Sequence, residues 1–249
     1  MNTSPLIGQT AIVTGAGRGI GAACARALAA AGADVALLAR TQAELDSVAA
    51  DVRQLGRQAW VVRCDITDPA QVDRAVASLS RVDILVNNAG TDKPTAFLAV
   101  TPELLDELLA VNVKGSFFMS QAVARRMIDA ANGGAIVNMS SQLGLVGGAY
   151  ETAYCAAKFG VEGLTRAMAI ELASHKIRVN SVAPTVVETP RTAIALADES
   201  LRRLIIGRIP LGRLATPENI ADAVVFLSSP ASSMITGASL PVDGGWTAQ

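Results

Sequence analysis

Tyr154 and Lys158 stand four residues apart in the Ala-rich stretch AYCAAKFG, and Ser141 precedes the tyrosine by thirteen positions. On a helix that spacing puts phenol and ammonium on one face. A carbonyl that accepts a hydride must also receive a proton on its oxygen, and a free tyrosine, with a pKa of about 10, exchanges that proton reluctantly near neutrality. A cation one turn away favours the phenolate and lowers the pKa, a part that Lys158 can play. Ser141 can hydrogen-bond the substrate oxygen and hold it beside the phenol. Tyr and Lys also occur at this spacing on ordinary solvated helices, so the surroundings must decide. His175, the only histidine, lies in the polar stretch ASHK and is poorly placed for a Ser-His-Asp triad. Cys24, Cys64 and Cys155 are too few and too scattered for a metal site or a disulfide framework.

The elements that would position such a group are legible along the chain. Apolar β-type runs at 11–13, 35–38, 59–62, 84–86, 135–139 and 177–182 alternate with helix-like stretches near 20–31, 42–55, 69–79, 102–127 and 154–173. This alternation predicts a single-domain α/β fold over 1–249: a doubly wound, Rossmann-type parallel sheet of about seven strands with helices on both faces. In such sheets ligands bind outside the carboxyl ends of the strands. Polar residues gather there: Asp65, the Asn87–Gly90 segment, Ser140-Ser141 and the glycine-rich TGAGRGIG at 14–21. Those glycines would let backbone N–H groups and a helix N-terminus approach a phosphate. Their register is open, since Gly15, Gly19 and Gly21 fit one spacing and Gly17, Gly19 and Ala22 another. The segment 184–235, with Pro184, Pro190, Pro210 and Pro217, has no clear strand character and is a candidate substrate lid.

TGAGRGIG, CDIT at 64–67, NNAG at 87–90, VNVKGSF at 111–117, IVNMSS at 136–141, Tyr154-x3-Lys158, IRVNSVAP at 177–184 and VDGGW at 242–246 occur in one order. In these the chain resembles the short-chain dehydrogenase/reductase family over nearly its whole length. The resemblance implies a catalytic tetrad of Asn112, Ser141, Tyr154 and Lys158, with Asn112 disturbing the helix 102–127 and holding a water in a relay to Lys158. It also implies a nicotinamide dinucleotide held by Gly15, Arg18, Gly19, Ile20 and Gly21, with Asp65 and Ile66 at the adenine. Asn88, Ala89, Gly90, Tyr154, Lys158, Pro184, Val187 and Thr189 would support the rest of it. Family members commonly have Pro-Gly after the sixth strand. Here Thr185 follows Pro184, and the form PTVVET looks like the sugar- and dicarbonyl-reducing branch.

An NAD enzyme usually ends its second strand with an acid that binds the ribose hydroxyls. Ala39 occupies that place and Arg40 follows, so Arg40 and Arg18 could clamp a 2′-phosphate; NADP(H) is favoured, with NAD(H) open. Candidate substrate contacts are Ser141, Gln142, Leu145, Val146, Tyr150, Glu151, Tyr154 and Val186. Gln142 and Glu151 could bond a hydroxylated substrate or face solvent. The expected reaction interconverts a secondary alcohol and a ketone of carbonyl, polyol or keto-sugar type. The alternatives are a 3-oxoacyl-carrier-protein reductase, for which Arg125-Arg126 would have to help dock an acidic carrier, and a nucleotide-binding scaffold without turnover.

Composition narrows the partners. With 51% hydrophobic and 17% charged residues and a formal net charge of −1, the chain has neither a disordered character nor a basic face for nucleic acid. No apolar run is long enough for a bilayer, and MNTSPLIGQTAIVTG lacks a signal-peptide layout, so a cytoplasmic enzyme acting on a small molecule, without membrane or metal, is expected. Helices 102–127 and 154–173 carry apolar residues on more than one face, including Leu108, Phe117, Phe118, Phe159, Val161 and Ile170. The surplus suggests burial between copies. The resemblance implies a dimer through these helices and a homotetramer through the C-terminal segment.

Overall fold

The computed structural model describes residues 4–249, so the first three residues of the N-terminal stretch lie outside the described residues. In chain order the elements are β1 (Thr10–Thr14), α1 (Gly19–Ala30), β2 (Asp34–Ala39), α2 (Gln42–Gln54), β3 (Ala59–Arg63) and α3 (Pro69–Ala77). They continue with β4 (Ile84–Asn87), α4 (Pro102–Leu109), α5 (Ser116–Asp129), β5 (Gly134–Met139), α6 (Thr152–Leu172) and β6 (Ile177–Pro184). The chain closes with α7 (Pro190–Leu196), α8 (Glu199–Ile206), α9 (Pro217–Ser228) and β7 (Ser239–Val242). The strands form one seven-stranded sheet in the order β3-β2-β1-β4-β5-β6-β7, every pair parallel. The order reverses between β1 and β4, which opens a crevice at their carboxyl ends.

Strand side chains alternate between two cores, as a pleat requires. Ala11 and Val13 of β1 and Val35 and Leu37 of β2 pack with α1, α2 and α9, whereas Ile12, Ala36 and Leu38 pack with α3, α5 and α6. A buried leucine such as Leu37 or Leu38 contributes about 1.5–3 kcal/mol, so either face alone outweighs any single surface interaction. The Ala-rich sequence of α1, with Ala22, Ala23, Cys24 and Ala25 buried, lets that helix lie close to the sheet and to Ile220, Ala221 and Val224 of α9. Helix starts follow their caps: the Asp68 carboxylate accepts from the Ala70 and Gln71 N–H groups ahead of Pro69, and Thr216 and Asn219 form a capping box ahead of Pro217.

Three sequence expectations need adjustment. The run 102–127 is not one helix: residues Ala110–Gly115 form a π-helical turn between α4 and α5. The segment 184–235 is not all lid, because α9 belongs to the main core, while α7 and α8 are held by a small separate cluster around Leu196, Ile209 and Leu214. Leu108 and Val161 are buried within the chain, whereas Phe117, Phe159 and Ile170 remain exposed. Among the described residues no helix is long and apolar enough to cross a membrane.

Candidate active site

The crevice is a cavity of about 530 Å³ running from Arg40 at one end to Asp92 and Arg191 at the other. Buried polar ties set its floor. The Asn87 amide donates to the Asn138 side chain (2.9 Å) and to the Ser120 hydroxyl (2.8 Å), and the Asn138 amide donates to the Thr165 hydroxyl (2.9 Å). These bonds lock the ends of β4 and β5 to α5 and α6, the elements that present the polar residues.

The glycine turn divides its labour. The Asn88 amide donates to the Thr14 and Gly15 carbonyls (2.9 and 3.2 Å), and a Cβ on Gly15 would meet Ala89 Cα and Asn88 Nδ2 at 3.0 Å. A Cβ on Gly21 would strike the Gly15 carbonyl. Gly15 and Gly21 are therefore bare so that the loop can close on itself and on Asn88. Gly19 has a φ of +55°, a left-handed conformation that glycine adopts without strain. Arg18, at the N-cap of α1, makes no side-chain capping bond and no acid lies in the first turn. The N–H groups at Gly19, Ile20 and Gly21 thus open a positive helix end onto the cavity, which fits a pyrophosphate.

Beyond that turn Ala39 closes β2 with no carboxylate, and Arg40 lines the cavity. Arg18 also lines it, 3.7 Å from the Glu44 carboxylate. Asp65 is engaged by Thr67, whose N–H and hydroxyl both donate to it; these bonds hold its carboxyl below the usual range, and nearby Arg40 adds to the effect. Ile66, Asn88, Ala89, Gly90, Pro184, Val187 and Thr189 line the same wall. This end of the cavity thus carries two arginines and no acid at the close of β2.

Ser141, Tyr154 and Lys158 all line this cavity. The Ser141 hydroxyl accepts from Leu143 N–H (3.1 Å) and lies close enough to the Tyr154 phenol to favour its ionised form. The Lys158 ammonium donates to the Met139 carbonyl (2.8 Å) and stands 5.5 Å from the centre of the Tyr154 ring. Burial pushes Lys158 down to about 8, with Arg191 adding to the effect. The Tyr154 phenol is raised, chiefly by burial and then by the Asp92 carboxylate, against a lowering by Arg191 and the Ser141 hydroxyl, so the depressed phenol expected beside Lys158 is not what the site produces. Asn112 is in the π-helical turn, off the cavity wall. Its amide donates to the Leu108 and Thr91 carbonyls (both 2.9 Å) and its oxygen accepts from Thr91 N–H (3.3 Å), which fixes the strand end carrying Gly90.

The substrate contacts divide. Gln142, Glu151 and Val186 line the cavity. Leu145 and Val146 do not: after Ser141 the chain makes a tight turn, with Leu145 and Val146 N–H groups returning to the Gln142 carbonyl (2.9 and 3.0 Å), and this leaves both off the wall. Tyr150 is also outside it. A φ of +65° at the end of the Gly147–Ala149 loop leaves it 65% exposed, on a neighbouring apolar cleft of about 380 Å³ that shares Glu151, Val186 and Thr192 with the main cavity. Thr185, marked in the sequence as a departure after Pro184, lines the cavity, and Asp92 and Arg191 line it without having been singled out. Asp92 follows β4 by five residues, so the strand-end argument extends to it; nothing in the sequence marks Arg191.

A family model described as Enoyl-(Acyl carrier protein) reductase matches residues 15–247. L-xylulose reductase of Bos taurus is 44% identical over 243 residues, covering 98% of each chain. The chain belongs to the short-chain dehydrogenase/reductase family. Another family member, L-rhamnose 1-dehydrogenase (NAD(P)(+)) of Sphingomonas, is 42% identical and covers 96% of each chain. The crystal structure of a gluconate 5-dehydrogenase from Burkholderia cenocepacia, in complex with NADP and tartrate, superposes with a TM-score of 0.94 at 34% identity over 100% of this chain and 98% of that one.

Proposed function

We propose that this family member interconverts a secondary alcohol and a ketone of polyol or keto-sugar type, with NADP(H) as the favoured cofactor. The observation that carries the reading is the meeting of Ser141, Tyr154 and Lys158 in the cavity that also holds the open α1 N-terminus and Arg40. NADP(H), when bound, supplies or takes the hydride. Tyr154, kept protonated through neutrality by burial, gives its proton to the carbonyl oxygen in reduction and takes it back in oxidation. Ser141 orients that oxygen. Lys158, buried and next to the ring, supplies positive charge that stabilises the phenolate as it forms. Asn112 holds the Thr91 backbone and, through it, the Gly90 wall.

Supporting the substrate class are full-length relatives named for L-xylulose, L-rhamnose and D-threitol. A carrier-protein substrate gains no support from Arg125-Arg126, since the Arg126 guanidinium is spent on the Leu79 carbonyl (2.7 Å). The α7–α8 segment, attached by a small cluster of its own, is the part of 184–235 suited to close over substrate. Exposed Phe117, Phe159 and Ile170 on α5 and α6 suit a homotetramer built from paired helices. The direct test is oxidation of NADPH and NADH with a panel of ketoses, simple ketones and diketones. Turnover with NADPH and ketoses is expected; no turnover with any carbonyl, despite cofactor binding, would favour a nucleotide-binding scaffold.

A further inference from the structure

The apolar cleft beside the catalytic crevice is continuous with it, because Glu151, Val186 and Thr192 belong to both. Helices α7 and α8 contribute Leu196, Leu201 and Ile205 to its wall, the loop after β4 contributes Pro94, and the turn before α6 contributes Tyr150. Glu151 brings a carboxyl group, but that group is engaged elsewhere. It comes within hydrogen-bonding reach of Asp92, and burial together with that carboxylate pushes it up to about 8. Near neutrality the two acids share one proton and satisfy each other. The cleft thus has little to offer a polar group. An apolar cavity of about 150 Å³ holds a benzene molecule, so the 380 Å³ here has room for a phenyl ring or a short alkyl chain.

Tyr150 keeps its place on that wall in a strained backbone. Thr95 N–H donates to its carbonyl (2.7 Å), and a Cβ on Gly148 would lie 2.9 Å from Leu143 Cδ2, so the turn has little slack and residue 150 is left-handed. A bulky aromatic residue is strained there and glycine would not be. Ala131 and Lys176 share the conformation, but they follow α5 and the turn after α6, where left-handed residues commonly terminate helices. Tyr150 instead precedes a helix, and its ring is largely exposed. Strain that neither helix termination nor packing accounts for is characteristic of residues that meet a ligand.

We propose that the cleft is a subsite for an alkyl or phenyl substituent of the substrate, with Tyr150 as the specificity-determining residue at its rim, so that the enzyme also reduces ketones carrying a hydroxyl group on one side of the carbonyl and an apolar group on the other. This rests on the reading of the crevice as an alcohol–ketone oxidoreductase site and extends it beyond sugars. The chemistry at the carbonyl is unchanged: its carbon takes the hydride of NADPH and its oxygen the Tyr154 proton, giving the alcohol. The apolar group leaves water for the cleft and gains about three- to fourfold in kcat/KM per methylene while room remains. Leu201 and Ile205 come from the α7–α8 segment suited to close over substrate, so closure covers the substituent and the Tyr150 ring together.

The test measures kcat/KM with NADPH along the series 1-hydroxypropan-2-one, 1-hydroxybutan-2-one, 1-hydroxypentan-2-one and 1-hydroxyhexan-2-one, with L-xylulose alongside. The unmodified enzyme should gain about three- to fourfold for each added methylene, mainly through KM. Tyr150→Ala removes the ring and Leu201→Asn places an amide in the cleft; in each the gain per methylene should fall below about twofold. Tyr150→Gly should flatten the series in the same way yet melt at a higher temperature than Tyr150→Ala, because glycine relieves the left-handed backbone. A flat series in the unmodified enzyme would overturn the proposal. So would a gain that survives in Tyr150→Ala or in Leu201→Asn, since the alkyl chain then binds elsewhere, and equal melting of the glycine and alanine variants would remove the strain argument for Tyr150. Failure to reduce L-xylulose and every hydroxyketone would instead overturn the underlying oxidoreductase reading, and this inference with it.

Discussion

The proposed preference for NADP(H) turns on Arg40, and replacing that residue by alanine gives a prediction with a magnitude. Two cations line the far end of the crevice, but Arg18 is 3.7 Å from the Glu44 carboxylate and is already partly neutralised. Arg40 has no carboxylate within ion-pair distance among the described residues, and Ala39 presents none to a ribose. A charge-assisted bond from Arg40 to a 2′-phosphate is worth about 1.5–3 kcal/mol, and solvent exposure puts it at the lower end of that range. Arg40→Ala should thus weaken NADPH about tenfold, up to a hundredfold at low salt, while NADH changes less than about threefold. Glu44→Gln should act in the opposite direction, because it frees Arg18 and removes a like charge from the phosphate's surroundings; a gain of about two- to fivefold for NADPH fits exposed charges in high dielectric. Isothermal titration of each variant with NADPH and NADH, at two salt concentrations, reads all of this. If the unmodified protein binds NADH more tightly, or if Arg40→Ala weakens both cofactors equally, the assignment of Arg40 to the 2′-phosphate is wrong.

Other consequences are open to measurement. A methyl at Gly90 would sit 2.8 Å from Asn112 Oδ1 and 3.7 Å from Lys158 Nζ, and Asn112 is held by three bonds, so Gly90→Ala should cut kcat at least tenfold with little change in melting temperature; unchanged kcat would show that this wall can give. Glu151, raised from 4.5 to about 8, keeps a proton in the folded chain that the unfolded chain releases, so its contribution to stability is complete below about pH 4.5 and lost as pH rises through 8. Between pH 5 and pH 8.5 the melting temperature of Glu151→Gln should therefore fall less than that of the unmodified protein, and identical falls would rule the assignment out. Replacing Asp68 by alanine removes two N-terminal bonds of α3 and should cost about 1 kcal/mol in chemical denaturation, an effect absent if the cap is not formed in solution. Phe117→Glu with Ile170→Glu should shift the protein to smaller species in light scattering; an assembly that tolerates both would place the interface elsewhere.

What was legible in the sequence follows from how locally each feature is encoded. Tyr154 and Lys158 share a helix face because of their spacing alone, and the alternation of apolar runs with helical stretches leads directly to a parallel sheet whose carboxyl ends carry the crevice. β7 escaped the strand-by-strand reading because it is a four-residue edge strand containing Pro241. The break at Ala110–Gly115 leaves no mark in apolar periodicity, since a π-helical turn displaces the pattern by a single residue; only the resemblance pointed to Asn112. In α9 the buried residues Ile220, Ala221, Val224 and Leu227 have helical spacing, but the prolines around them suggested a lid. Gly15 and Gly21 were read as space for phosphate, whereas the chain itself fills that space. Asp92 meets Glu151 through the crossing of two distant segments, and no local pattern encodes such a meeting.

The central claim, that Tyr154 carries the proton, is tested most directly by Tyr154→Phe, which removes one oxygen and leaves the ring. The account predicts a fall in kcat of about 10²–10⁴ for ketose reduction with NADPH binding retained in titration. Turnover at the unmodified rate, with the variant folded and binding cofactor, would contradict it.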